Sequence, residues 1–208
     1  MFPRIMLMVF LLVLVFNVQS ANFEKDEHYQ VIAGELSQNK EVTEYFSFYC
    51  SHCFRQETLI QNMLASLPVG TKFSKNHVDS MPGRNIGIEH VLTKALIVSE
   101  LLQVEEKIVP AIFNYIHVNK ASFDSPADVK NIFLMNGIDA QSYDKTFASF
   151  TVNTQFKKMQ QQTAAIRKQG IGTVPTVIVN GKYRVLTNSL KGEGEFLELV
   201  SFLLDKDI

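Results

Sequence analysis

An α/β fold carrying a large helical insertion is predicted by three features of the sequence. The run "VTEYFSFY" at 42–49 is β-branched and aromatic, as a buried strand requires, and an amphipathic helical pattern follows it directly. A second strand signal, "TVIVNGKYRV", comes only at 176–185. Between them, from about Asn85 to Gly170, the apolar spacing is helical and no strand signal intervenes. The composition suits one globular unit with a real core: 208 residues, 46% hydrophobic and 20% charged. A net charge of −1, with Lys and Arg scattered along the chain, offers no basic field and speaks against nucleic acid as a partner.

The first element is Arg4, followed by the twelve-residue apolar run "IMLMVFLLVLVF" and then by "NVQS", whose Val18 and Ser20 suit a cleavage site. This reads as a secretory signal peptide at 1–20, removed on export. The apolar run is short of the roughly 20 residues that a membrane span needs.

After the strand at 42–49, Phe54, Leu59, Ile60, Met63, Leu64 and Leu67 recur at helical spacing until Pro68 and Gly70 end the segment. "NHVDSMPGRN" closes a further strand. In the long helical stretch, breaks are expected near Pro110, Ser125-Pro126 and Gly137, and Val91, Ala95, Val98, Leu101 and Leu102 are expected in the core. Asn180-Gly181 is the dipeptide that a type I′ hairpin prefers, so "VIV" and "YRV" should pair antiparallel. Pro175 opens the first hairpin strand, either as a plain strand start or as a cis turn. "EGEFLELVSFLLDK" is an amphipathic helix expected to pack on the sheet. Its "GEG" lacks the third glycine of a nucleotide loop, and neither G-x-S-x-G nor H-E-x-x-H occurs.

The chemistry concentrates in "YCSHCF" at 49–54, which holds the only two cysteines, Cys50 and Cys53. In an exported protein such a pair is free to oxidise. As a staple it would do little, because closing a loop of about four residues is worth only about 2 kcal/mol. A structural metal site normally takes four Cys or His ligands, and here no second pair exists while His28, His77, His90 and His117 stand apart in sequence. The local pattern favours a reagent. At a strand-to-helix junction, unpaired backbone N–H groups and the helix dipole face the Cys50 sulfur and favour its thiolate. Cys50 is then the exposed attacking thiolate, Cys53 the better-buried resolving partner, and His52 a positive or hydrogen-bonding neighbour.

"FSFYCSHC", "TVPTVIVNGKY" and the export signal together resemble the bacterial periplasmic thiol-disulfide oxidoreductases of the DsbA type, over the whole mature chain. The resemblance implies an α/β thioredoxin fold with an inserted helical domain, divided as a first thioredoxin part at 21–80, the insertion at 81–165 and a second part at 166–208. It implies that Cys50, His52 and Cys53 form the redox motif. It also implies that Val174 and Pro175 make a cis turn facing the cysteines and holding the incoming peptide backbone. An acid beneath the disulfide is expected as well, matched by Glu44, with Lys75 as its partner; read from its strand alone, the alternative is that Glu44 lies at an exposed end. The usual dipeptide between the cysteines is Pro-His, whereas here it is Ser51-His52. Ser51 leaves an N–H and a hydroxyl near the sulfurs, so this departure bears on the strength of the oxidant.

The function implied is that of a dithiol oxidase introducing disulfides into unfolded or partly folded exported proteins. It would work in the periplasm as a monomer, without metal or organic cofactor, and be reoxidised by a quinone-linked membrane partner of the DsbB type. A reductase or isomerase and a non-enzymatic peptide-binding chaperone module are the alternatives, and a thiol-exchange assay separates them.

Overall fold

The structure, a computed structural model, describes residues 22–206, so the expected signal peptide at 1–20 lies outside the described residues. A five-stranded mixed sheet has the order β1-β5-β4-β2-β3, with β1 at Tyr29–Val31, β2 at Glu41–Phe46, β3 at Lys72–His77, β4 at Thr176–Val179 and β5 at Tyr183–Val185. β2 and β3 run parallel and the other neighbours antiparallel. A parallel pair needs a crossover, supplied by α1, Ser51–Ser66. Five helices then precede β4: α2 Ile86–Leu101, α3 Glu105–His117, α4 Pro126–Met135, α5 Ala140–Phe147 and α6 Phe150–Lys168. The last element, α7, spans Glu193–Asp205.

β4 alternates as the strand period demands. Val177 and Val179 join Ile60 and Met63 of α1 and Leu199 and Leu203 of α7, while Ile178 joins Tyr45 of β2 and Ile166 of α6. Helices thus cover both faces, which is why "TVIV" is buried throughout. α2 is the axis of the insertion. Its Leu92, Ala95, Leu96, Ile97 and Val98 are all buried, and it packs against α3, α4, α5 and α6.

Several expectations are corrected. Pro110 breaks nothing: it lies inside α3, where Ile108, Val109, Ile112, Phe113 and Ile116 bury a continuous stripe around it. That packing outweighs the roughly 3 kcal/mol that an interior proline forfeits. The chain breaks instead at 102–104, where Gln103 takes φ 56°, and again between α5 and α6. Ser125 does cap α4, with Pro126 as its first residue, and Gly137 follows its end at φ 86°. Leu101 and Leu64 are 40% and 41% exposed and Val91 is half-buried, because the partner elements cover a narrower face than the apolar spacing offers. β2 stops at Phe46 because the next residues turn, with Cys50 N–H donating to the Ser47 carbonyl at 3.0 Å. The hairpin turn has Asn180 at φ 50° and Gly181 at φ 63°, as type I′ needs. Val179 nevertheless pairs with Tyr183, leaving Lys182 as an extra residue whose carbonyl accepts from Ile32 N–H at 3.0 Å.

Candidate active site

Ser47–Tyr49 carry the chain from β2 to α1 and leave Cys50 as the N-cap of that helix. Its sulfur does what a capping oxygen does, accepting the N–H of Cys53 at 3.2 Å. The backbone beneath is fixed from a distance. His117 Nε2–H donates to the Phe48 carbonyl at 2.8 Å, and the His117 ring stacks on Phe54. Phe48 is fully buried, edge-on to Phe46 and Phe113.

The Val174–Pro175 bond is cis, and the Val174 carbonyl lies 3.5 Å from Cys50 Sγ, close enough to accept the weak hydrogen bond of the thiol. Two contacts brace this turn: Thr176 Oγ1–H donates to the Thr173 carbonyl at 2.9 Å, and Arg184 Nη2 donates to Thr173 Oγ1 at 3.2 Å. Cys50 is less open than its position before the helix suggests, at 8% exposure, because the cis turn leans on it. It is still the more accessible of the pair, since Cys53 is 0% exposed, and both are free thiols.

The two thiols are driven apart in acidity. Cys50 is lowered to about 6, first by the hydrogen bond from the Cys53 thiol, against burial, and then by the N–H groups of Cys53 and His52 and the charge of Arg55. Cys53 is pushed strongly up by the same hydrogen bond, by burial, and by the negative charges on Cys50 and Glu44. His52 therefore contributes its backbone N–H, and the cation is Arg55, which sequence reading missed. Ser51 is exposed at the first helical position.

These shifts predict a pH at which the stabilities of the two redox forms cross. The folded Cys50 lies below its ordinary value of 9.0, so its thiolate stabilises the reduced fold fully above pH 9, and this is lost as pH falls through about 6. At pH 7 the gain is about 1.4 kcal/mol, less than the roughly 2 kcal/mol from the disulfide loop. The oxidised form should melt higher below pH 7, the forms should match near about pH 7.5, and the reduced form should melt higher from about pH 8 to 9. Cys53, whose acidity is shifted the other way, erodes this gain only above its ordinary value of 9.0. Thermal melts of both forms from pH 5 to 9 check the crossing, and an oxidised form still the more stable at pH 8.5 would contradict the lowered Cys50.

Beneath Cys53 lies an ionic triad. Glu44 sits mid-strand, opposite Lys75 of β3 on one side and Val177 of β4 on the other, at 0% exposure, which excludes the exposed strand end. Lys75 Nζ is 2.7 Å from Glu44 Oε2 and 3.0 Å from Glu57 Oε2 of α1, and 4.9 Å from the centroid of the Phe46 ring. Burial pushes the Glu44 carboxyl up despite Lys75. Burial also pulls Lys75 down, yet Glu44 and Glu57 together hold it above its ordinary value. Glu44 Oε1 is buried without a hydrogen-bond partner. Glu57 escaped sequence reading because one glutamate on a helix surface carries no local signal. A cavity of about 690 Å³ opens beside Lys75 and Glu57 at the free edge of β3, and neither cysteine lines it. Among the described residues no cluster of His, Cys, Asp or Glu is arranged to hold a metal ion.

The family model described as DSBA-like thioredoxin domain matches residues 41–193. The chain is 30% identical to the Thiol:disulfide interchange protein DsbA of Yersinia pestis, over 93% of this chain and 94% of that one. It is 32% identical to the protein of the same name from Escherichia coli O6:H1, over 84% and 82%. Among solved structures, a Pseudomonas aeruginosa DsbA variant superposes with a TM-score of 0.75 at 25% identity, covering 89% of this chain and 98% of that one. Proteus mirabilis DsbA with a non-covalently bound peptide superposes with a TM-score of 0.74 at 27% identity, covering 88% and 99%.

Proposed function

We propose, on the premise that this chain belongs to the DSBA-like thioredoxin family and is a protein disulfide oxidoreductase, that it is a periplasmic oxidase passing a Cys50–Cys53 disulfide to exported proteins. The observation that carries this reading is the capped sulfur. A Cys50 held by Cys53 N–H and lowered to about 6 departs readily as thiolate from a mixed disulfide.

In the first step a client thiolate attacks Cys50 Sγ, the Cys50–Cys53 bond breaks, and Cys53 leaves and takes up a proton, which its raised pKa retains. In the second, another client thiolate attacks the client sulfur of the mixed disulfide and Cys50 departs as thiolate. Two electrons pass to the protein, so the client gains a disulfide and the pair ends as dithiol. The backbone beside Val174 and Pro175 is the surface on which an extended client would pair, and the peptide complex of the Proteus mirabilis relative is a precedent for peptide binding. Residues 1–20 direct export, no organic cofactor or metal takes part, the protein acts as a monomer, and a quinone-linked membrane partner of the DsbB type restores the disulfide.

A Cys50 at about 6 lies between thioredoxin, about 7, and the strongest oxidants of this kind, about 3.5. Equilibration with glutathione should accordingly give a reduction potential between about −120 and −230 mV, and stoichiometric oxidised protein should restore a reduced, unfolded, disulfide-containing enzyme. A potential at or below about −270 mV would move the protein to the reductases.

A further inference from the structure

We propose that the catalytic face selects client segments with carboxylates next to their cysteine, through arginines gathered around Cys50 and the cis turn. This rests on the exchange reading above and names the chemistry of its clients. Three guanidinium groups come from three separate elements. Arg55, exposed in the first turns of α1, adds its charge to the groups that lower the Cys50 thiol, as the smallest of them. Arg84, in the loop between β3 and α2, lies 4.4 Å from the ring centroid of Tyr49, the residue before Cys50. Arg184 of β5 bonds Thr173, the residue before Val174. His52 stands exposed among them.

The balance of charge is local. The whole chain carries a net −1, and one carboxylate near this surface, Asp124, acts on Tyr49. Glu89 also acts on Tyr49 but is engaged, its two oxygens accepting the N–H groups of Ser80 and Met81 at 2.9 and 3.0 Å. None of the three arginines forms a salt bridge among the described residues.

Two of these cations are also held in place. The loop bearing Arg84 is pinned by Glu89 and by Asp79, whose Oδ2 lies 3.1 Å from His90 Nε2 and accepts from Gln160 Nε2 at 3.2 Å, and it turns through Ser80 at φ 60° and Gly83 at φ 72°. Arg84 lays its guanidinium over the Tyr49 ring while the residue remains exposed. Arg184 is tied to Thr173 and reaches Gln30 Oε1 at 3.5 Å. A cation already oriented binds a carboxylate with less ordering than a free one. Tyr49 adjoins Cys50 and Thr173 adjoins Val174, so the two held cations flank the place where a client sulfur would meet Cys50.

The test uses the oxidised protein and three short single-cysteine peptides in which the cysteine is flanked by Glu, by Gln or by Lys. Each rate is divided by that of the same peptide with a small neutral disulfide, which removes differences in thiol acidity. The Glu peptide should react at least about tenfold faster than the Lys peptide at low ionic strength, with the ratio shrinking in about 0.5 M salt. Arg84→Gln and Arg184→Gln should each narrow the ratio, and Arg84→Glu should narrow it further. Equal normalised rates, a preference for Lys, or a ratio unmoved by all three substitutions would overturn the inference and leave the oxidase reading intact. A protein that oxidises none of the peptides would overturn the exchange reading and this inference with it.

Discussion

Replacing Cys53 with alanine should stop turnover and leave clients joined to the protein through Cys50, whereas replacing Cys50 with alanine should stop turnover and trap nothing. The asymmetry follows from position. Cys50 caps the helix beside the Val174 carbonyl and is the thiol with some exposure, while Cys53 has none. Presented with a client disulfide, the Cys50 thiolate attacks it and expels one client sulfur as thiolate. Without Cys53 nothing resolves the bond that forms. Non-reducing gels with mass spectrometry would show the adducts in the Cys53→Ala protein. With a pKa of about 6, Cys50 should also be alkylated far faster than Cys53 at pH 7. Faster alkylation of Cys53 would reverse the assigned roles.

Lys75→Met should be the most destabilising single change at the site, by about 3–5 kcal/mol near neutral pH. It removes the cation shared by Glu44 and Glu57 and leaves Glu44 fully buried with both oxygens unpaired. The carboxyl would then take up a proton, so the loss should be smaller at pH 5 and grow towards pH 8. A carboxyl whose folded pKa is raised is tolerated at low pH and becomes a burden as pH rises through that value. The double variant Glu44→Leu with Lys75→Met should recover most of the loss, because an apolar pair needs no partner. Chemical denaturation of the three proteins decides this: a Lys75→Met loss below about 1 kcal/mol would mean that the triad does not hold the strands as described.

What could be read from the sequence is what is written in short segments. The C-x-x-C at the end of a strand run, the proline opening "TVIV" and Asn180-Gly181 each announce a backbone event within a few residues, and each event is found where its segment lies. Pro110 shows the limit of such local reading, since its helix is held by an apolar stripe packed against other helices. β1 is three residues long and exists through its pairing with β5. Glu57, Arg55, Arg84 and His117 are ordinary surface or helix residues in sequence. They matter only because α1, the loop after β3 and α3 bring them to Lys75, Cys50, Tyr49 and Phe48. The burial of Glu44 likewise needed a third strand on its far side.

The contact between Cys50 and Val174 joins residues 124 positions apart, with six helices between them. Closing a loop of that length costs about 4 kcal/mol of chain entropy before the contact returns anything, and non-local pairing of this kind is slow to form. A chain made from its N-terminus therefore displays both cysteines long before β4 exists to lie beside β2. In that interval it has a pair of thiols and no Val174 carbonyl beside them. The thiol pair is thus present in the chain long before the backbone that packs against it.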